Sequence, residues 1–405
     1  MNIKTVALPI GKASELKVYL PVINALRNRQ LTVVLLCGPN PTNLYPKNTE
    51  SNPTKANLGL AEDSRLKIIY YQNAKDFERL LSKLAVSSLI SINNPSAHTT
   101  LGAIAARLKL RLYYLQSYFD FIYMPPESLQ PVTNFFVYSP AMITFYYQAH
   151  PDTPTSLLAK FIPVGNPSLD TLNQLPSLAK IKTHYHLPAN RRLILLLTTN
   201  PHINFWTKYI FAARSRPRAI YHCLKHRRPS LLKSALKDTS YRQLLRSLRN
   251  WADTHQALII AKTKLKHKDP SFLHDYIDLF LNDNPRQPNL TLELLKIADL
   301  VVSFEYSSSV LEAAVENVYS LQIITNNPVN TTAPPETNII KTSDIFNQSV
   351  CRLINQNKFS RFLHQHSLDD LILTPDHVAP YLKKYLGELD GQAAARLVDH
   401  ILKNM

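Results

Sequence analysis

The sequence predicts an α/β protein with two doubly wound halves, in which helices cover both faces of each parallel sheet. Short apolar runs alternate with amphipathic helical segments, and the alternation stops at a proline-bearing stretch and then starts again. Apolar runs of this kind are typical of parallel strands that are buried on both faces and joined by crossover helices. The 405 residues also exceed what one hydrophobic core usually supports, so two domains are expected.

The first half contains six apolar runs that predict strands and four periodic segments that predict helices. The strands are Thr5–Pro9, Thr32–Cys37, Lys67–Tyr71, Ser88–Ile92, Arg111–Gln116 and Asn134–Tyr138. The helices are Ser14–Asn28, Ala74–Leu84, Thr99–Leu108 and Pro140–Ala149. A loop rich in proline, asparagine and threonine is predicted at Asn40–Asn57, and the segment Phe161–Leu172 closes a first domain that spans 1–175.

The second half starts after a proline-bearing link, Pro176–Pro188, that is predicted to act as a hinge. Its predicted strands are Leu193–Thr198, Ala257–Lys262, Asp299–Val302 and Ser320–Thr325. Its predicted helices are basic helices across 206–253, Thr291–Ile297, Val310–Glu316 and a closing helix, Asp390–Lys403. We therefore expect a second domain at 190–385 and a closing segment at 386–405. Ligands of such sheets bind at the carboxyl ends of the strands, so the site is expected in a cleft between the halves.

Cysteine content and the N-terminal sequence indicate a cytoplasmic protein without a metal centre. The three cysteines, Cys37, Cys223 and Cys351, have no metal-ligand spacing and form no even disulfide framework. The first residues lack the apolar core of a signal peptide, and no apolar run approaches the roughly 18 residues that span a bilayer.

Positive charge is concentrated in one segment. The net charge is +17, and residues 208–249 contain twelve lysines and arginines against one acid, Asp238, which gives +11 for this segment. Such a segment can contact an anionic membrane, a nucleic acid or an anionic substrate, or form a solvated basic surface. No nucleic-acid module accompanies it, so nucleic acid is not expected as a partner. A peripheral position on the inner face of the membrane is expected instead.

Residues 303–314 follow the apolar run Leu300–Val302 and place three hydroxyls at the predicted start of a helix. These hydroxyls belong to Ser307, Ser308 and Ser309. Helix starts bind anions through free N–H groups and the positive end of the helix dipole, so a phosphate site is predicted here. Glu312 lies one turn later, within reach of a ribose hydroxyl. The alternative is a capping box, because Ser309 and Glu312 also have the S/T-x-x-E spacing.

Three residues of the first half are candidate bases for an acceptor hydroxyl. Glu15 lies at a predicted helix start, where it is either a base or an acid that the helix dipole stabilises. His98 follows the strand Ser88–Ile92, either as a base or as a surface-loop histidine, and Asp120 follows the next strand.

Three further residues are candidates for binding phosphate. Gly11 begins the first strand-to-helix turn, but the G-x-G-x-x-G pattern of dinucleotide-binding proteins is absent. Lys262 and Lys264 follow a predicted strand, where they either neutralise a departing diphosphate or form a solvated basic turn.

Four segments resemble one superfamily. Residues 11–21 (GKASELKVYLP) are similar to the first loop and helix of non-hydrolysing UDP-N-acetylglucosamine 2-epimerases. Residues 164–172 (VGNPSLDTL) are similar to the Gly-Asn-Pro/Thr-x-x-Asp segment of the same enzymes. Residues 305–312 (EYSSSVLE) resemble the Asp-Tyr-Ser-Ser segment of CDP-glycerol glycerophosphotransferases, and 390–399 (DGQAAARLVD) their Asp-Gly-x-Ala-x-x-Arg ending. The turn at Gly11 is also similar to that of lipid-A-disaccharide synthase.

This resemblance implies a GT-B fold, with two Rossmann-like domains that face each other across a cleft and the donor nucleotide in the C-terminal domain. It implies that Ser307–Ser309 hold the donor diphosphate and that Glu312 holds the ribose. The epimerases' Gly-Asp-Thr and Thr-His-Arg segments are replaced by Asn93-Asn94-Pro95 and Thr199-Asn200-Pro201, and their glutamate near 115–119 is missing.

The sequence thus predicts a metal-independent glycosyltransferase without a cofactor. It would move a sugar, or glycerophosphate, from a UDP- or CDP-linked donor to a cell-surface glycan or a lipid-linked acceptor. Two alternatives stay open: a nucleotide-sugar 2-epimerase-like enzyme, and a catalytically degenerate protein that binds a nucleotide or a glycan.

Overall fold

A computed structural model describes residues 4–11, 15–38, 58–92, 99–117, 121–122, 124–198, 241–263, 271–282, 287–304, 307–324, 344–346, 349–373 and 375–404. The chain divides into two compact units. Unit 1 comprises Met1–Leu175, Asn284–Asn289 and Tyr381–Met405, and unit 2 comprises Pro176–Asp283 and Leu290–Pro380.

Among the described residues, unit 1 contains a parallel sheet of seven strands. They are β1 (Thr5–Ile10), β2 (Thr32–Cys37), β3 (Leu66–Tyr70), β4 (Val86–Ser91), β5 (Arg111–Leu115), β6 (Asn134–Val137) and β7 (Phe161–Pro163). Their order across the sheet is β3-β2-β1-β4-β5-β6-β7, and every pairing is parallel. The helices in the N-terminal part of this unit are α1 (Leu16–Asn28), α2 (Ala74–Lys83), α3 (Thr99–Arg107), α4 (Pro140–Ala149) and α5 (Thr155–Leu158).

The described part of unit 2 contains a second parallel sheet, of six strands. They are β8 (Arg192–Leu197), β9 (Ala257–Thr263), β10 (Leu279–Asn282), β11 (Leu300–Phe304), β12 (Tyr319–Ile324) and β13 (Cys351–Asn355). Their order is β10-β9-β8-β11-β12-β13, again with parallel pairing throughout. The helices are α6 (Leu178–His184), α7 (Tyr241–Thr254), α8 (Leu290–Ile297), α9 (Ser309–Val315) and α10 (Gln356–Gln365). The helix α11 (Pro375–Leu386) begins in unit 2 and ends in unit 1.

The last helix, α12 (Ala393–Asn404), belongs to the core of unit 1. Its apolar side chains at i, i+1 and i+4, Leu397, Val398 and Ile401, are fully buried in the same cluster as Val6 and Leu26 of β1 and α1. The sequence treats 386–405 as a separate closing segment, whereas the structure packs this helix against α1 of the first unit. A helix that is apolar along one stripe gains stability mainly by such packing.

Two of the segments that resemble the superfamily contact each other at the start of α12. Asp170 accepts hydrogen bonds from the backbone N–H groups of Ala393 (3.1 Å) and Ala394 (2.7 Å). Arg396 donates from Nε to the carbonyl oxygen of Val164 (2.9 Å). Burial raises the pKa of Asp170, although the two amides and Arg396 act in the opposite direction. The segments 164–172 and 390–399 therefore hold the last helix on the first unit.

Gly165 shows how closely these two segments approach each other. Its φ is +92°, and a Cβ at this position would lie 2.9 Å from Nη2 of Arg396 and 3.0 Å from Cβ of Ala393. Because an L side chain is strained at this φ and lacks space here, only glycine fits this position without a shift.

The predicted α/β architecture is confirmed, and every predicted strand is present within one or two residues of its predicted bounds. Three strands were not predicted: β7, β10 and β13. All three lie at an edge of their sheet. An edge strand is less completely buried, so its sequence lacks the continuous apolar run that identifies an inner strand.

Other differences concern helices. The link Pro176–Pro188 contains α6, which Ser177 caps by accepting from the N–H of Lys180 (3.4 Å). Neither this helix nor α5 was predicted from the sequence. Helices α10 and α11 were not predicted. The predicted loop Asn40–Asn57 and the basic segment as far as residue 240 lie outside the described residues. Within the part of the chain that the structure describes, no helix is sufficiently long and apolar to cross a membrane.

Candidate functional site

Each sheet has one point at which the strand order reverses direction. In unit 1 the reversal lies between β1 and β4, and in unit 2 it lies between β8 and β11. The crossover connections leave in opposite directions at such a point, so a crevice opens beyond the carboxyl ends of the two strands, where ligands of open α/β sheets bind. Candidate residues from the sequence lie at both points.

At the reversal in unit 1, Glu15 is bonded to the turn that follows β1. Glu15 directly precedes α1, is 8% exposed, and accepts a hydrogen bond at Oε2 from the backbone N–H of Gly11 (2.8 Å). The two candidates Glu15 and Gly11 thus lie together at the carboxyl end of β1. The bond fixes the carboxylate in position.

Three side chains that experience the electrostatic effect of Glu15 retain their protons. They are Tyr19 of α1, Cys37 at the end of β2 and Tyr71 just after β3. Burial raises the pKa of each of them, with the negative charge of Glu15 as a second cause, and the pKa of Cys37 rises to about 12. These three groups therefore stay neutral at physiological pH.

Tyr19 joins this cluster to β4 on the other side of the reversal. Its hydroxyl accepts from the N–H of Ile92 (3.0 Å) and donates to the carbonyl oxygen of Ile90 (3.4 Å). Tyr19 was not among the residues predicted from the sequence. Its signal was the spacing of four residues from Glu15, which places both side chains on one face of the helix.

In unit 2 the serines form a turn just beyond the carboxyl end of β11. Ser307 and Ser309 are brought together: their Oγ atoms lie 2.9 Å apart, and Ser307 Oγ also accepts from the N–H of Ser309 (3.3 Å). Helix α9 begins at Ser309, and Ser308 precedes it without a side-chain cap bond. The capping-box alternative for Ser309 and Glu312 is therefore wrong, because Ser309 is the first helical residue instead of the cap. Glu312 lies in the first turn of the helix.

The serine turn, residues 307–309, offers hydrogen-bond donors. Ser307 and Ser309 together carry two hydroxyl hydrogens, and the bond between them uses only one. The described residues supply no acceptor for the other hydrogen. Helix α9 has only seven residues, so its dipole adds little, and the hydroxyls of the turn provide the polarity. A ligand that fits this turn has acceptor oxygens, as phosphate does.

Below the serine turn lies a layer of polar side chains inside the sheet. Ser303, Ser320 and Gln322 of β11 and β12 are fully buried. Gln322 accepts at Oε1 from the N–H of Ser307 (3.1 Å) and donates from Nε2 to Ser320 Oγ (2.7 Å). None of the three was predicted from the sequence. Two polar residues, Ser320 and Gln322, inside the strand run Tyr319–Ile324 were the available signal.

Lys262 occupies the carboxyl end of β9, on the other side of β8 from the serine turn. It is 9% exposed, and its carbonyl oxygen accepts from the N–H (3.0 Å) and the hydroxyl (3.2 Å) of Thr198, which follows β8. These bonds join the carboxyl ends of β8 and β9. The candidates His98, Asp120 and Lys264 lie outside the described residues.

These features define a GT-B fold: two Rossmann-like units, each with a parallel sheet and a reversal of strand order. Solved structures with this arrangement match almost the whole chain. S. aureus MnaA in complex with UDP is 12% identical with a TM-score of 0.59, and the match covers 99% of this chain and 97% of that one. The UDP-GlcNAc 2-epimerase of Methanocaldococcus jannaschii is 11% identical with a TM-score of 0.56, with 99% and 100% covered.

A third solved structure connects the fold to the other family that the sequence resembles. The wall teichoic acid polymerase TagF is 10% identical with a TM-score of 0.58, and the match covers 99% of this chain and 88% of that one. The predicted GT-B fold and its resemblance to both groups are thereby confirmed at the level of fold. No family model and no curated protein sequence matches the chain.

Proposed function

We propose that this protein is a transferase that uses a nucleotide-diphosphate donor, and we assign the donor to unit 2 and the acceptor hydroxyl to unit 1. The serine turn carries this proposal. It lies at the strand-order reversal of unit 2 and presents a hydroxyl hydrogen for an acceptor oxygen. Phosphate oxygens are strong acceptors, and bonds to them are charge-assisted. The structural neighbours that contain UDP and CDPG support the assignment of a nucleotide.

In the proposed reaction the serine turn stabilises the negative charge that grows on the leaving diphosphate. Glu15 takes the proton from the acceptor hydroxyl, and the acceptor oxygen forms a bond to the anomeric carbon of the sugar. The bond between that carbon and the diphosphate oxygen breaks, and its electron pair leaves with the nucleoside diphosphate. His98 and Asp120 stay alternative bases, Lys262 and Lys264 are assigned to the departing charge, and Glu312 is assigned to the ribose.

Nucleotide binding tests the donor site. Replacing both Ser307 and Ser309 by alanine is expected to weaken the binding of UDP or CDP by about 10- to 100-fold, since hydrogen bonds to charged groups contribute about 1.5–3 kcal/mol. Isothermal titration calorimetry with the wild type, the double variant and Ser247→Ala, a serine of α7 outside the turn, measures this. Equal affinity of the double variant and the wild type would rule out the serine turn as the donor site.

The products separate the transferase from its rivals. Incubation with UDP-, CDP- and GDP-linked sugars is expected to release the nucleoside diphosphate only when an acceptor glycan or lipid is added. Transfer of glycerophosphate from CDP-glycerol would release CMP instead, because the attacked atom is then phosphorus. Interconversion of the sugar without an acceptor would show that the protein is an epimerase. This alternative is included because two of the structural neighbours are named as UDP-N-acetylglucosamine 2-epimerases. Nucleotide binding without turnover on any donor would establish a degenerate binding protein.

We also propose that the basic segment 208–249 holds the protein at an anionic membrane, close to a lipid-linked acceptor. In its described part, Arg242 and Arg246 are exposed on α7. Arg249 serves a structural purpose, because it pairs with Asp253 (2.5 Å) and Asp278 (2.6 Å).

Flotation with lipid vesicles tests this proposal. The protein is expected to float with vesicles that contain an anionic lipid, to stay behind with neutral ones, and to dissociate as salt shortens the screening length. The triple variant R214E/R216E/R218E should lose the interaction. The matched variant K67E/K75E/K83E, which changes the net charge equally at exposed positions of unit 1, should keep it. Equal flotation of both variants would show that the basic segment is not the contact.

A further inference from the structure

The polar layer in the sheet of unit 2 needs an explanation. Inner strands of parallel sheets are apolar because helices cover both faces, and burying an amide without full hydrogen bonding costs free energy. Gln322 lies on β12, an inner strand, and is fully buried. In the register of the two strands it pairs with Ser303 of β11, which is also fully buried. An apolar residue at 322 would stabilise the sheet more than glutamine does. The presence of glutamine is therefore explained by the groups to which it hydrogen-bonds.

Gln322 binds the serine turn from below. Its Oε1 accepts the N–H of Ser307 at 3.1 Å, and its Nε2 donates to Ser320 Oγ at 2.7 Å. Ser320 lies two residues earlier on the same strand, so both side chains project to one face. The bond between Gln322 and Ser320 orients the amide so that its oxygen points to the turn. Two buried groups thus fix the backbone position of Ser307.

We infer that Gln322 is a positioning residue for the phosphate-binding hydroxyls, and that Ser320 orients it. This inference rests on the proposed function of the serine turn. Ser307 and Ser309 can bind phosphate oxygens only if their hydroxyls are held at hydrogen-bond distance with the unused hydrogen directed outward. Without Gln322, the N–H of Ser307 loses its buried acceptor, and the turn then rearranges to satisfy it.

Ser303 gives a second, independent observation at the same place. Its side chain is fully buried, and its Oγ has no hydrogen-bond partner among the described residues. Unsatisfied buried hydroxyls are uncommon and require a reason. Ser303 pairs in register with Gln322 and lies four residues before Ser307, so the unpaired hydroxyl belongs to the same polar layer. A polar layer that is only partly satisfied is typical of a functional site and not of a core selected for stability alone.

The test compares the affinities for UDP and for uridine, which lacks the phosphates. Gln322→Met keeps the length of the side chain and removes both hydrogen bonds. It is expected to weaken UDP binding about tenfold and to leave uridine binding within about twofold of the wild type. Ser320→Ala, a small change that does not threaten folding, is expected to weaken UDP binding about threefold. A purely structural effect of either substitution would lower both affinities alike.

The matched control is Gln116→Met in unit 1. Gln116 is also fully buried and follows β5, and its Oε1 accepts from the N–H of Tyr138 at 3.0 Å. This variant should lose thermal stability to a similar degree as Gln322→Met but keep the wild-type affinity for UDP. The inference would be overturned if Gln322→Met and Ser320→Ala both bind UDP with wild-type affinity while Ser307→Ala binds it weakly. The proposal that the serine turn is the donor site would still hold in that case. Wild-type affinity in Ser307→Ala as well would overturn both.

Discussion

Replacing Glu15 by glutamine is expected to lower the rate of the proposed transfer reaction by about 10²- to 10⁴-fold, the usual contribution of a general base. Glutamine keeps an oxygen that can accept the N–H of Gly11, so the turn after β1 stays in place, and only the charge is lost. The neighbouring groups Tyr19, Cys37 and Tyr71 stay protonated, so none of them can replace the carboxylate. Steady-state kinetics with a saturating donor and a titrated acceptor measures the effect.

Two further measurements separate catalysis by Glu15 from a structural role. The affinity for UDP is expected to be unchanged in Glu15→Gln, because the donor is assigned to the other unit. Glu15→Ala removes the acceptor of the Gly11 N–H as well, so it should lose thermal stability in addition to activity. If Glu15→Gln retains full activity and only Glu15→Ala loses it, the carboxylate serves merely to hold the turn. His98 or Asp120 would then be the next residue to replace.

Burial determined which strands could be predicted. The strand β11, with the sequence LVVSF, is buried along its whole length, and such a run identifies an inner strand directly. The edge strand β13, with the sequence CRLIN, has an exposed arginine and only two buried residues, so it lacks that pattern. The predicted alternation was therefore sufficient for the fold class, for the inner strands and for the edge strand β3, and it failed at the other three edge strands, β7, β10 and β13.

The candidate site was predictable where a residue lies next to a strand end in the sequence. Glu15 and Ser307 follow β1 and β11 closely, and both became candidates because they lie at the predicted start of the helix that comes after the strand. Gln322 acts on Ser307 from the next strand, a contact that only the register of β11 and β12 creates. Asp170 had matched the superfamily as part of a motif, yet its role depends on Ala393 and Ala394, more than 220 residues later. Contacts between distant segments of this kind cannot be inferred from local pattern.

Asp170→Ala is expected to lower the free energy of unfolding of unit 1 by about 2 kcal/mol. The substitution removes the acceptor of two backbone N–H groups at the first turn of α12, and it removes a negative charge at the positive end of that helix. Burying the carboxylate costs free energy in the wild type, and this burial raises the pKa of Asp170. The variant avoids that cost, which offsets part of the loss. The core residues Leu397 and Ile401 are held in place by this helix, so its release exposes apolar surface. Chemical denaturation monitored by circular dichroism measures the change.

Hydrogen exchange shows where the stability is lost. Amides of α12 should exchange faster in Asp170→Ala than in the wild type, whereas those of β8 and β9 in unit 2 should be unchanged. Asp390→Ala is the matched control, because Asp390 pairs with Arg396 (2.6 Å) in the same segment but is about half exposed. An exposed ion pair contributes at most about 1 kcal/mol, so this variant should stay close to the wild type. Equal stability of Asp170→Ala and Asp390→Ala would show that the packing of Leu397 and Ile401 alone holds the helix. The resemblance of 164–172 and 390–399 to the superfamily would then need another explanation than the attachment of α12.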